Sequence, residues 1–289
     1  MNRRDFLNTL TSGAIAAPLA AGMVYPLVKP QGTAAPKRES AFARVSRTRT
    51  LRCGYLEFEP NFVKDPAAGA PRGIFADLMG EAGRLQNLKI EWTEAGGVAN
   101  LLESLNRGRI DAICSGLWPN ALRSEHAEFG EPVFYNALGV FARPGDMRFD
   151  NNLKAIDDPT VRVAVIDGEM ADQVASVDFP RAKKVSLPAL TDFSQLLLTV
   201  ADGKADVTIA ATHEALEFEA HNPGALREVA ASRPIRTFPN VLFFAKGEFE
   251  LASMLNGAID EVYSDGKLEE IVAKYEKYPG SFIRVRKPN

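Results

Sequence analysis

The chain has 289 residues, 46% of them hydrophobic and 25% charged, which is enough for about two domains of ordinary size with buried cores. A net charge of -3 and a pI near 5.8 exclude a nucleic-acid-binding surface, which needs clustered Lys and Arg and a basic balance.

At the N-terminus, Asn2-Arg3-Arg4-Asp5-Phe6-Leu7 precedes residues 10–28, a run without charge that is rich in Ala, Gly and Leu. This is the pattern of a twin-arginine export signal, and Pro18 and Pro26 argue against a helix of the mature fold. Residues 1–30 are therefore read as a signal peptide or as an N-terminal anchor. Ala20-x-Gly22 offers a cleavage point, and no Cys follows the run for lipid attachment. Residues 31–47, polar with Gly32 and Pro36, read as a linker.

The globular part begins with a strand at residues 51–55. An apolar stripe of Ile74, Phe75, Leu78, Met79, Ala82 and Leu85 predicts a helix, and residues 89–92 a second strand. A helix over 98–106 is stopped by Gly108, and a third strand covers 110–115. The order repeats further on: strand 161–166, helix from Glu169, strand 184–187, helix 193–201 with Thr191 as candidate N-cap, strand 206–210. Leu101-Leu102-x-x-Leu105-x-x-Gly108-Arg109-Ile110-Asp111-Ala112 returns as Leu196-Leu197-x-x-Val200-x-x-Gly203-Lys204-Ala205-Asp206-Val207 at a constant interval of 95 residues. After a strand at 241–245, Leu251, Met254, Leu255, Ala258, Ile259 and Val262 mark a long amphipathic helix. It breaks at Asp265-Gly266 before a shorter one through Tyr275, and this tail is expected to return to the first half.

Alternating strands and helices with an internal repeat imply an α/β chain of two lobes, each a mostly parallel sheet flanked by helices. The first lobe takes residues 48–135 and 239–289, the second 136–238. Two crossovers, near 135–137 and 233–239, form a two-strand hinge. Ligands of such folds bind in the cleft at the carboxyl ends of the strands.

Several chemistries are not encoded. His126, His213 and His221 have no ligand partner at helical spacing, and Cys53 and Cys114, both in core strands, read as two buried thiols rather than a disulfide. No metal and no cofactor is expected. No phosphate loop is present, and Ser115-Gly116 lacks the Gly two residues earlier that a nucleophile elbow needs, because position 113 is Ile. No catalytic residue is assigned. The segment leaving the third strand, from Ser115 and Gly116 through Trp118 to Arg123, does suit a cleft wall: a guanidinium for a carboxylate, free backbone amides and an aromatic.

Gly54-Tyr55, Phe58-x-Pro60-x-Phe62, Gly73-Ile74-Phe75-x-Asp77-Leu78, Leu105 to Ala112, Ser115-Gly116-Leu117 with Arg123, and Phe129-x-x-Pro132 resemble the family 3 extracellular solute-binding proteins. The likeness runs over residues 48–278. It implies a periplasmic-binding-protein-like fold and an extracytoplasmic amino-acid receptor serving an ATP-driven (ABC-type) permease, monomeric and without nucleic-acid partners. By that resemblance Arg123 grips a ligand carboxylate, Ser115 and the Gly116 amide assist, Phe58 stacks, with Tyr55 in the same wall, and Gly168-Glu169-Met170 forms the second lobe's helix N-terminus.

Two positions depart from the family. The hydroxyl residue two after Gly116 is Trp118, and the aspartate that receives the ligand ammonium is Ala211. Glu169, Thr212 or Glu214 replaces that aspartate, or the ligand has no amine, or a methylated ammonium lies on an aromatic wall of Trp118 and Phe58. Two rival functions stand beside transport. One is a dehydratase-like enzyme acting on a cyclic carboxylic acid, with Glu169 as acid or base; the other is a ligand-sensing module.

Overall fold

The protein is described from a computed structural model, which covers residues 39–64, 69–189, 191–229 and 234–285. The export signal or anchor at 1–30, and the linker up to residue 38, lie outside the described residues. The first half comprises α1 (Ala41–Thr48), β1 (Thr50–Tyr55), α2 (Ile74–Gln86), β2 (Lys89–Ala95), α3 (Val98–Arg107), β3 (Ala112–Leu117), the single turn α4 (Ala121–Ser124) and β4 (Ala127–Phe129). Then come β5 (Phe134–Ala142), β6 (Arg162–Ile166), α5 (Met170–Asp178), β7 (Lys183–Leu187), α6 (Phe193–Ala201), β8 (Val207–Ala211), α7 (Thr212–His221) and β9 (Arg227–Glu228). The chain ends with β10 (Arg236–Ala245), α8 (Phe249–Ser264), α9 (Lys267–Tyr275) and β11 (Phe282–Arg284).

The strands join in the order β2-β1-β3-β10-β5-β8-β6-β7. β1 runs parallel to β2 and β3, and β6 runs parallel to β7 and β8, so each half has the parallel core that its β-α-β pattern requires. β5 and β10 join the halves. They pair antiparallel from Arg236 opposite Leu138 to Asn240 opposite Phe134, so both crossovers are strands, the second described from residue 234. Each half packs its own core: Val163, Val165, Leu196, Val200, Val207 and Ile209 in one, Leu51, Leu78, Met79, Leu251 and Leu255 in the other. α8 and α9 return to the first half through Leu251, Leu255, Ile259, Leu268 and Val272, as their stripe predicts.

The 95-residue repeat has a structural cause. Gly108 ends α3 at φ 62° and Gly203 follows α6 at φ 74°, left-handed geometry that other residues adopt at a cost. The aspartate three residues later then turns under the neighbouring strand. Asp111 accepts the Arg52 backbone N–H at 2.7 Å and its guanidinium at 2.8 Å; Asp206 does the same with Arg162, at 2.8 Å and 3.1 Å. Arg44 also pairs with Asp111, and Arg148 lies 3.1 Å from Asp206. Each clamp locks the amino end of a central strand, opposite the end that carries a cleft.

Two boundaries differ from the sequence reading. Residues 41–47 of the expected linker form, with Thr48, helix α1, because Ser40 caps it at Ala43 N (3.1 Å), Glu248 accepts from Ala41 N at 2.8 Å, and Arg44 reaches Asp111. The N-cap of α6 is Asp192, which accepts from Ser194 N at 2.8 Å, rather than Thr191. Cys53 and Cys114 are both fully buried free thiols on adjacent strands. No helix among the described residues is long and apolar enough to cross a membrane.

Candidate ligand cleft

Beyond the carboxyl end of β3 the chain turns through Gly116, Trp118 and Asn120 into α4. Gly116 has φ 74°, and a Cβ there would overlap the Phe75 ring, so only glycine fits. Its carbonyl accepts from Asn61 Nδ2 at 3.2 Å, and the same amide group reaches Asn240 Oδ1 at 3.1 Å, tying the turn to β10. Asn120 Oδ1 accepts the Arg123 backbone N–H at 2.6 Å and sets the start of α4.

That turn carries Arg123 inward. The side chain is only 9% exposed, its guanidinium lies 4.2 Å over the Trp118 ring, and Nη1 donates to the Trp118 carbonyl at 2.8 Å. Among the described residues it forms no ion pair. Burial lowers its pKa, and the charge of Glu169, from the opposite half, counters that fall. Trp118 belongs to the first half in sequence but packs in the core of the second, with its ring 5.2 Å from Phe238 of β10. The two halves therefore meet across Trp118, with Arg123 beside it.

On the other wall, β6 and β8 are adjacent and parallel, so their carboxyl ends share one rim. Glu169, at the N-cap of α5, follows β6. Burial raises its pKa, while Arg123 and the Trp118 side chain oppose the rise. Glu214, the third residue of α7, follows β8; its Oε2 accepts from Ala211 N at 3.3 Å. Burial pushes its pKa up to about 8, the Ala211 N–H opposes this, and the negative charges of Glu169 and Asp192 add to it. Neither carboxylate is the solvated helix group that an isolated Glu suggests.

The expected site residues separate into two groups. Arg123, Trp118 and Glu169 come together at the junction of the halves, while Gly116 packs on Phe75 and sets the turn that leads to them. Ser115 is fully buried, and its Oγ accepts the Leu56 N–H at 2.9 Å, which makes it a tie between β3 and the end of β1. Tyr55 packs against Phe62 (4.7 Å) and Trp92 (6.1 Å) in a small separate cluster. Phe58 bridges backbone to backbone with Phe62. Met170 is a core residue of the second half, and Thr212 Oγ1 donates to the Ala137 carbonyl of β5 at 3.3 Å. Gly168, exposed at φ 76°, donates its N–H to Asp172 at 3.1 Å. Phe238 and Asn61 were not legible as site residues, because only the crossing of β10 past β3 brings them there. The described residues contain no cluster of metal-ligating groups.

Two parallel half-sheets, joined by a pair of long strands, with charged groups where their carboxyl ends meet, define the two-lobed binding-protein architecture. The model of the bacterial extracellular solute-binding proteins, family 3, matches residues 51–278, and the chain belongs to that family, whose members act outside the cytoplasm. It is 23% identical over 240 residues to a probable histidine-binding protein of Campylobacter jejuni, covering 82% of this chain and 89% of that one. Among solved structures it resembles the ancestral amino acid-binding protein AncCDT-1, a precursor of cyclohexadienyl dehydratase, with a TM-score of 0.66, 21% identity, and 83% and 100% of the two chains covered. A histidine kinase sensor domain with similarity to periplasmic binding proteins aligns at TM-score 0.66 and 21% identity, over 82% and 98% of the chains. At these identities the structural likeness speaks for the fold.

Proposed function

We propose that the protein is an extracytoplasmic receptor that captures a small carboxylate-bearing solute, an amino acid or a close relative, between its halves and delivers it to an ABC-type permease. The observation that carries this reading is Arg123: a guanidinium 9% exposed, held against Trp118, without an ion pair among the described residues, and facing the other half. An enclosed guanidinium that only the more distant charge of Glu169 offsets, with no carboxylate in direct contact, is costly, and a ligand carboxylate supplies that contact. β5 and β10 serve as the hinge between residues 48–135 with 239–289 and residues 136–238. Rotation about them opens the cleft, and the closed, loaded form is the one the permease accepts. Export through Arg3-Arg4, with the leader then removed or kept as an anchor, and a monomeric state complete the proposal.

Isothermal calorimetry across amino acids, betaines and dicarboxylates tests it. A hit whose affinity falls about a hundredfold in Arg123→Ala, close to 3 kcal/mol, is the expected result. Equal affinity in the variant removes Arg123 from the site. The enzyme reading gains one observation from the fold: Glu169 and Glu214, far apart in sequence, stand on one rim with raised pKa values, as an acid and base require. Turnover of a cyclic carboxylic acid, rather than stoichiometric binding, would establish that reading instead.

A further inference from the structure

We propose that Glu214, with Glu169 beside it, seats a second positively charged group of the ligand, so that the cleft selects amino acids of net charge +1. This rests on the receptor reading, with the ligand carboxylate on Arg123. The placement comes from the sheet. β6 and β8 run side by side, and each carboxylate lies three residues past the end of its strand, so the two stand on one rim, with Glu169 acting on both Arg123 and Glu214.

The partners of Glu214 do not account for its position. Among the described residues its side chain makes one hydrogen bond, the 3.3 Å contact with Ala211 N, half of a capping box that Ala211 has no oxygen to complete. The elements packed on α7 bring no free cation. β8 has no titratable residue, β5 contributes Tyr135, and α6 begins at Asp192, which is negative and already caps Ser194. In the C-terminal segment, Lys277 and Tyr278 are held by Glu217 at 2.6 Å and 3.0 Å, and His213 on α7 itself lies against Phe282 with a pKa lowered to about 4, so it stays neutral. The enclosed Glu214 carboxyl thus faces negative charge from Glu169 and Asp192, and stays protonated near neutral pH when the cleft is empty.

Counting charges then fixes the ligand. Arg123 contributes one positive charge to the cleft, Glu169 and Glu214 two negative ones. A zwitterion of zero net charge leaves one carboxylate in excess, and the proton on Glu214 neutralises it. A ligand with one carboxylate and two cationic groups balances the cleft only when that proton leaves to solvent. Binding of L-arginine should therefore release close to one proton at pH 7, whereas L-glutamine releases none.

Titration calorimetry of the mature protein in phosphate and Tris, whose ionisation heats differ, reads this directly. The expected result is a buffer-dependent heat for L-arginine alone, an L-arginine affinity that rises from pH 6 to pH 8, and, in Glu214→Gln, loss of the proton release with an affinity falling at least tenfold more for L-arginine than for L-glutamine. Binding of L-glutamine but not L-arginine, or of L-arginine without proton release, overturns the inference and leaves the receptor reading standing. Binding of neither, across the full amino-acid panel, overturns both. A carbon-13 carboxyl titration of the unliganded wild-type protein is independent of any variant's folding: Glu214 titrating with the ordinary glutamates overturns the proposal.

Discussion

Replacing Asp206 by Asn tests whether the amino-end clamp stabilises the second half independently of the cleft. The carboxylate accepts from Arg162 N at 2.8 Å, Nε at 3.2 Å and Nη2 at 3.1 Å, with Arg148 at 3.1 Å. Burial alone would raise the Asp206 pKa; the Arg162 and Arg148 bonds override it and hold the group at about 2, against an ordinary 3.8. At about 1.4 kcal/mol per pKa unit the depression corresponds to about 2 kcal/mol, and screening of the half-exposed Arg148 and Arg162 reduces the expected loss to about 1–2 kcal/mol. Because the folded value is depressed, this stability is fully present above the unfolded pKa and disappears as pH falls toward 2. Urea denaturation at pH 7, 5, 4 and 3 should show the gap between wild type and variant constant at the first two values and shrinking at the last two. Ligand affinity should stay unchanged, since β8 separates the clamp from Ala211 by about 17 Å of strand. A gap that persists undiminished at pH 3, or a loss below 0.5 kcal/mol at pH 7, would refute the electrostatic account.

Gly116→Ala places a side chain at φ 74° against the Phe75 ring, and should cost about 2 kcal/mol or more while weakening ligand binding; a melting temperature equal to wild type would contradict the geometry. Trp118→Ala should destabilise the protein by about 3 kcal/mol in urea, and a loss under 1 kcal/mol would show that the ring is no part of the second core. Cys53 and Cys114 should ignore a thiol reagent at pH 8 until guanidinium unfolds the chain, because both are fully buried and burial raises the Cys53 pKa; reaction of the native protein within minutes would contradict this.

The amino-end architecture was legible because its stereochemistry is local. A left-handed glycine and an aspartate three residues later leave the same trace in both halves, whatever surrounds them. The position of Arg123 just beyond β3 was legible for a related reason, being a fixed number of residues past a recognisable strand. α1 escaped notice because it is short, with only Ala41, Phe42 and Val45 on the first-half core, and its docking relies on Glu248 and Asp111 from distant parts of the chain. β5 and β10 were expected only as short hinge crossovers near 135–137 and 233–239 and a strand at 241–245; their full lengths were not legible because they depend on pairing between distant segments, which carries even Pro239, opposite Tyr135, within the register. The enclosure of Glu214 has no local signal at all; it follows from β6 and β8 being neighbours and from the charges that gather there.

That separation gives the molecule a division of labour along each strand. Both halves use the amino ends of β3 and β8 alike, as arginine-clamped anchors, while the carboxyl ends have diverged into a guanidinium on one side and two carboxylates on the other. The first turn of α7 connects the divergent end to the hinge. Thr212 ties it to the Ala137 carbonyl of β5, His213 packs 5.1 Å from Phe282 of β11, and Glu214 faces the rim. β11 itself pairs with β5 at Asn136, and Phe282 belongs to the first-half core. A change of charge at Glu214 therefore falls on a helix turn already bonded to β5, one of the two strands proposed as the hinge. Thr212→Val should uncouple the two: the difference in scattering radius between the empty and loaded protein should shrink, while ligand affinity stays within about threefold of wild type. If that difference stays at the wild-type value, the Thr212 tie has no part in closure.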